Sequence, residues 1–256
     1  MDPDCGVFHK GPHKVVFAYA ANVFCDTHNY VMGFTVNPGN VHDSTAFPDV
    51  YETIKQYEAV RCIVMDAGYK TPAIAREVLR DSRIPVLPYK RPMTKKGFFK
   101  KSDYVYDEYY DCFLCPCHQL LSYSTTNREG YREYKSKGDI CRDCPCLTQC
   151  TESKNHVKVV TQHIWQDYLE EAEEIRHTPH YQQKYQLRKQ TIERIFADAK
   201  EKHGMRYTQY RGIQKIRMEL NLLFAAMNLK KLARWLEKEK RDRSFLLSSA
   251  WILLLL

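Results

Sequence analysis

The feature that most constrains this chain is where its sulfur lies. Seven of its ten cysteines fall between Cys112 and Cys150. They are spaced Cys112-x2-Cys115-x-Cys117, then 23 residues, then Cys141-x2-Cys144-x-Cys146-x3-Cys150. Cysteines two residues apart on two separate knuckles suit tetrahedral thiolate coordination of Zn²⁺. Such a site is structural, because four thiolates leave no open position for a substrate. Seven candidates compete for four places, and free thiols are the plain alternative. The first twenty residues contain no apolar core segment of the kind a secretion signal needs. Clustered cysteines without that signal point to a reducing, cytoplasmic compartment and to metal rather than disulfides.

From Lys90 to Cys150 tyrosines, charges and cysteines dominate, and no sustained apolar period appears. This reads as an inserted small module, over about 90–160, that cannot build a large core. The flanks have a different grammar. Residues 14–36 alternate β-branched and aromatic types around Asp26-Thr27-His28-Asn29, which predicts a β-hairpin. A helix is expected over 44–57. Arg61–Asp66 is a short apolar run that ends on a carboxylate and turns through Ala67-Gly68, as a buried strand does at an open sheet edge. Pro72 suits the first turn of a helix over 72–81, and Val86-Leu87 a further strand. Beyond the module, 163–176 reads as an acidic helix and 181–202 as one amphipathic helix with Ile192, Ile195, Phe196 and Ala199 on its buried stripe. A last helix, 213–240, carries the apolar run Leu220–Leu232, expected to be largely buried. The expected class is α/β, a mixed sheet with flanking helices. Its first part is 1–89 and its helical second part 161–243, with an apolar tail over 244–256.

Charge is segregated. Residues 184–243 hold 17 Lys+Arg against 7 Asp+Glu, a balance of +10, whereas the remainder carries 22 against 24. Lys90, Arg91, Lys95, Lys96, Lys100 and Lys101 form a second basic cluster. Such segregation fits a polyanionic partner bound in a salt-dependent way, although lysines also simply solvate helix faces. The tail is shorter than the roughly 18 apolar residues a membrane-spanning helix takes, so no membrane partner is expected.

Two features outside the module could carry chemistry. One is Asp66, at its strand end in Val64-Met65-Asp66-Ala67-Gly68-Tyr69; a strand-end Asp is more commonly a cap. The other is Glu193-x6-Lys200, whose spacing of about two helical turns puts both side chains on one side. Tyr185 and Arg188 precede them, adding a hydroxyl and a guanidinium fork. An ordinary solvated helix face is the bland alternative.

Taken together, these residues resemble bacterial insertion-sequence transposases of the DDE class, in the branch with a cysteine-bearing insertion. The matching strings are Asp2-Pro3-Asp4 with Gly6, Asn37-Pro38-Gly39-Asn40-Val41-His42-Asp43-Ser44 and Asp66-Ala67-Gly68-Tyr69. They continue through Asn127-Arg128-Glu129-Gly130-Tyr131, Cys141-x2-Cys144-Pro145 and Cys150-Thr151-Glu152-Ser153. The last runs from Arg188 through Glu193 to Lys200. The resemblance covers nearly all of residues 1–236, in order. It implies a ribonuclease-H-like core, with Asp66 and Glu193 as the second and third catalytic carboxylates holding Mg²⁺ or Mn²⁺. It also implies that Tyr185, Arg188 and Lys200 contact the DNA backbone of transposon ends and target. Related branches place the arginine where Lys189 stands here, so Lys189 and Arg188 share that assignment. The resemblance favours Cys115, Cys141, Cys144 and Cys150 as zinc ligands, with Cys112 as substitute.

The chain departs from the pattern at its front. The class carries its first Asp on a central strand upstream of Asp2-Pro3-Asp4, and neither Asp2, Asp4 nor Asp43 matches it. The expectation is therefore an N-terminally truncated core without its first central strand, catalytically incomplete. Such a core would depend on a homo-oligomer or a missing N-terminal portion and be prone to misassociate along unpaired strands. The rival expectation is a repurposed zinc-stabilised DNA-binding or regulatory protein without catalysis. A stand-alone nuclease is hard to sustain on two carboxylates.

Overall fold

A computed structural model describes residues 2–9 and 14–252, with side chains to residue 240. Along the chain run β1 (Gly6–His9), β2 (Val15–Cys25), β3 (Val31–Pro38), α1 (Asp43–Lys55), β4 (Cys62–Val64), α2 (Pro72–Arg80) and β5 (Ile84–Val86). Then come β6 (Val105–Asp107), β7 (Cys112–Leu114), β8 (Leu120–Thr126), β9 (Tyr131–Lys135), α3 (Gly138–Arg142), α4 (Leu147–Cys150) and β10 (Val159–His163). The chain ends with α5 (Gln166–Ile175), α6 (Tyr181–Gln190), α7 (Ile192–Lys202) and α8 (Ile213–Ile252). It divides into two compact units, residues 1–70 with 178–256, and residues 71–177.

In the first unit β1, β2 and β3 form an antiparallel sheet, with Gly6 opposite Ala18 and Val23 opposite Phe34. The predicted turn is fixed by Asp26, whose Oδ1 accepts from His28 N at 2.9 Å and Tyr30 N at 2.8 Å, while Asn29 takes the left-handed φ of 70°. Val31 and Val36 of β3 pack with Ile195 and Ala199 of α7 and with Ile216, Leu220, Phe224 and Met227 of α8. Asn228 clamps the strand to the helix, accepting from Val31 N and donating to Val31 O, both at 2.9 Å. On α1, Phe47 stacks on Tyr51 with centroids 5.0 Å apart, and Tyr69 meets Phe47 at 5.9 Å. This places the turn after β4 firmly on α1.

The Asp2-Pro3-Asp4 string has a structural task. Asp2 Oδ2 accepts from Gly212 N at 3.1 Å and from the Tyr19 hydroxyl, and Asp4 Oδ2 accepts from Ile213 N at 3.1 Å. The two carboxylates thereby satisfy donors at the start of α8, where the helix dipole favours negative charge.

The second unit contains a five-stranded antiparallel sheet in the order β10-β9-β8-β7-β6. Its core is Tyr104, Phe113, Leu121, Tyr134 and Val160. The Tyr106 and Tyr134 hydroxyls both donate to Asp111 Oδ1, at 2.8 and 2.6 Å. Asn127 makes the β8–β9 turn, its Oδ1 accepting from Glu129 N and Tyr131 N, with Gly130 at φ 82°. The Asn-Arg-Glu-Gly-Tyr string is thus turn chemistry. The module builds more of a core than its sequence suggested, because β7, β8, β9 and β10 each contribute a single side chain to it, Phe113, Leu121, Tyr134 and Val160, which leaves no sustained apolar period to read.

Two expectations fail. The 181–202 helix is not continuous: it breaks at Thr191 (φ −111°, ψ −98°), so Tyr185 and Arg188 lie on α6 and Glu193 and Lys200 on α7. Thr191 is buried and its Oγ1 donates back to Leu187 O at 2.7 Å, a bond that bends helices. The run Leu220–Leu232 is not largely buried either. Leu220, Phe224 and Met227 face the core, whereas Leu222 is 73% exposed and Leu229 65% exposed. One stripe of a helix at 3.6 residues per turn reaches the core, and the residues between those positions point away. Of the apolar tail, residues 253–256 and the side chains beyond 240 lie outside the described residues. No described helix is long and apolar enough to cross a membrane.

Candidate functional site

The first candidate site grows from the turn after β4. Asp66 caps the short 3-10 turn Ala67–Tyr69, its Oδ1 accepting from Ala67 N at 2.6 Å. The cap leaves the carboxylate 58% exposed, facing the Arg188 guanidinium. Arg188 forks onto it, Nη2 to Oδ2 at 3.3 Å and Nη1 to Oδ1 at 3.4 Å, with its own side chain only 14% exposed. Its Nη1 also donates to the Tyr185 hydroxyl at 2.9 Å, and Tyr185 stacks on Tyr181. Three of the residues singled out from the sequence thus form one cluster, Asp66–Arg188–Tyr185.

A second carboxylate borders this turn, one to which the resemblance assigned no catalytic role. Asp43, opening α1, packs so tightly on Gly68 that a Cβ there would lie 2.4 Å from Asp43 Oδ2. Only a glycine admits that approach. Tyr69 lies beside both acids; burial first, then Asp43 and Asp66, drive its hydroxyl pKa far above the ordinary value. The protonated hydroxyl donates to buried Asn22 at 2.7 Å. The signal available in the sequence was the pairing of His42-Asp43-Ser44 with Asp66-Ala67-Gly68, which spacing alone does not reveal as a contact.

Glu193 stands exposed in the first turn of α7 and Lys200 in its last, with Lys200 Nζ 5.5 Å from the Phe196 ring. Lys189 is exposed at the end of α6. An exposed carboxylate at a strand end and another on a helix are the oxygen donors a hard divalent cation takes, completed by water. Asp66 would have to exchange the guanidinium for the cation.

Elsewhere in this unit α7 and α8 border two basic cavities. One, of about 670 Å³, is lined by Arg194, Lys231, Arg234 and Trp235 among others; a second, of about 210 Å³, adds Lys202 and Lys230. Burial lowers the Lys231 ammonium pKa, and Asp198, Cys25 and Asp26 oppose that shift. These five Lys and Arg side chains are among the 17 Lys+Arg behind the +10 balance of 184–243.

The second candidate site is the thiol cluster. Cys115, Cys117, Cys141, Cys144, Cys146 and Cys150 line one small cavity of about 20 Å³, a space on the scale of ions and water rather than of a substrate. Cys112 instead lies buried on β7, near Asp107 and Asp111. The first knuckle is shaped by His118 at φ 58°, which lets Gln119 N donate to Cys115 Sγ at 3.2 Å. Cys150 Sγ lies 3.3 Å from the Tyr104 hydroxyl, and Lys158 Nζ donates to Cys150 O at 2.9 Å. Backbone and hydroxyl donors on sulfur, with a nearby ammonium, are the outer contacts that steady thiolate ligands. Among the described residues, the one group of three or more candidate ligands with donor atoms within 4.8 Å of one another is Cys117, Cys144 and Cys146. Of the four ligands implied by resemblance, only Cys144 belongs to it. Its neighbours Cys146 and Cys144, together with burial, push the Cys117 thiol up to about 12.

Residues 114–233 match the family model of the transposase DDE domain. The match takes in the second knuckle, Glu193, Lys200 and the first half of α8, and begins beyond Asp66. It supports the resemblance to DDE transposases over the part of the chain that it covers. No curated protein and no solved structure matches the chain.

Proposed function

We propose that this chain is a DDE transposase catalytic domain, with Asp66 and Glu193 as two carboxylates of its divalent-metal site. The match of residues 114–233 to the transposase DDE domain carries this reading. Mg²⁺ or Mn²⁺ bound there would activate an attacking oxygen and stabilise a leaving one. Arg188, held by Tyr185 beside Asp66, is placed to move from carboxylate to DNA phosphate once a cation takes its charge-balancing role. Lys189 and Lys200 supply further phosphate contacts. The hairpin, α1 and the Asp66 strand then represent a ribonuclease-H-like core, and the thiol module a structural zinc site of Cys115, Cys141, Cys144 and Cys150. Two assigned carboxylates are one fewer than the class uses, so this chain alone is expected to bind metal and duplex DNA without completing strand transfer.

A second reading, a zinc-stabilised DNA-binding protein without catalysis, is favoured by the Arg188 fork that already neutralises Asp66. Mn²⁺ binding followed by electron paramagnetic resonance separates the two. The first reading expects binding that weakens at least tenfold in both Asp66→Asn and Glu193→Gln, with duplex binding retained. Duplex binding in the absence of any Mn²⁺ site would favour the second. Strand cleavage by the unmodified chain with Mg²⁺ or Mn²⁺ is assayed first, since it sets the baseline for every variant.

A further inference from the structure

The thiol cavity gathers more sulfur than one zinc ion uses. Six cysteines line it, whereas a closed structural zinc site takes four thiolates. At a Zn–S distance near 2.3 Å, two sulfurs on one tetrahedral ion lie about 3.8 Å apart. Cys117, Cys144 and Cys146, mutually within 4.8 Å, are close to that spacing. Cys115 and Cys150 instead pack against the module's apolar core, with Cys150 Sγ 3.3 Å from the Tyr104 hydroxyl. The sulfurs thus fall into two groups, and Cys144 connects them: it belongs to the close trio and forms the Cys-x2-Cys knuckle with Cys141, Cys144 N donating to Cys141 O at 3.2 Å.

We propose that the module binds two zinc ions, the second held by Cys117, Cys144 and Cys146 with the Cys144 thiolate bridging to the first. This rests on the tetrathiolate reading above and adds to it. Charge does not oppose the pair. Six thiolates with two Zn²⁺ carry −2, the same as four thiolates with one, and Lys158 lines the cavity to offset it. The second ion has three protein ligands and a fourth position for water, yet the small cavity denies it a substrate.

The test is zinc counted on the full chain, purified under reducing conditions with zinc, by native mass spectrometry and elemental analysis. Two ions per chain are expected. The double variant Cys117→Ser with Cys146→Ser should hold one ion and keep the module's protease resistance. With ¹¹³Cd in place of zinc, the wild type should give two signals coupled through the shared sulfur. One ion in the wild type, with Cys117 and Cys146 both alkylated quickly, overturns the proposal and leaves the tetrathiolate standing. So does a mass two daltons low that marks a disulfide between them. No bound zinc overturns both.

Discussion

The two units solve the problem of holding a fold in different ways. The first buries a continuous apolar stripe, in which Val31 and Val36 of the hairpin meet Ile195 and Ala199 of α7 and four side chains of α8. Burial of that kind needs no cofactor. In the second, the five-stranded sheet packs five core side chains, three of them aromatic, and sulfur lines a cavity in the same unit. Its strands β6 and β7 are three residues each, too short to secure a sheet by pairing alone. The contrast shows the two halves of one chain drawing on different sources of stability, so that they should fail under different treatments.

Metal removal should separate them most. A strong chelator, or Cys141→Ser, is expected to unfold the second unit, since structural zinc contributes on the order of 10–16 kcal/mol to small metal domains. Limited proteolysis should then cut between residues 95 and 158 while the 178–240 helices stay protected. Equal loss of protection in both would break the comparison, showing that the first unit leans on the metal too.

The converse perturbation acts on the first unit. Phe224 is buried and packs on Phe34 with centroids 5.2 Å apart, so Phe224→Ala should cost about 3–5 kcal/mol. Leu222→Ala, two residues away on the exposed face, should change stability by less than about 0.5 kcal/mol. Chemical denaturation with intrinsic fluorescence measures both. A large loss at Leu222 would mean that this face of α8 is covered in solution, and the description of the core would have to be redrawn.

How far the sequence disclosed this depended on which physical signal carried each element. The hairpin was legible because Asp26 and Asn29 are turn residues between alternating strands. The helix after Thr71 was legible because Pro72 fits a first turn. Asp66 was placed at a strand end, and its role as a cap was the plain alternative to a catalytic one. The sheet of the module was not legible: tyrosines such as Tyr106 and Tyr134 are buried through their rings while their hydroxyls donate to Asp111, so the polar count conceals a core. The break at Thr191 was missed because helical periodicity runs through it unchanged. The contact of Asp43 with Gly68 was beyond reach, since nothing local says that two turns so far apart will touch. The thiol trio was missed for a similar reason: spacing proposes knuckles, but only the fold decides which sulfurs converge.

The smallest expected effect concerns the carboxylates at the start of α8. Hydrogen bonding from the Tyr19 hydroxyl, ahead of the Asp4 and Gly212 amides and the Arg211 charge, holds the Asp2 carboxyl below its ordinary value of 3.8, with partial desolvation opposing. A carboxyl whose folded pKa is depressed adds stability at pH above its unfolded value, and that contribution disappears as pH falls through the folded one. Asp2→Asn keeps an oxygen acceptor for Gly212 N and removes the charge. The variant should therefore melt slightly below the wild type at pH 7, and the two curves should converge as pH falls below the ordinary carboxyl value of 3.8. Melting temperatures across pH 2.5–7 measure this. Equal melting temperatures at every pH would mean that the capping hydrogen bond, which the amide retains, and not the charge, is what Asp2 supplies. The first unit would then owe nothing to charge at this helix end, and its contrast with a second unit proposed to depend on metal would be sharper.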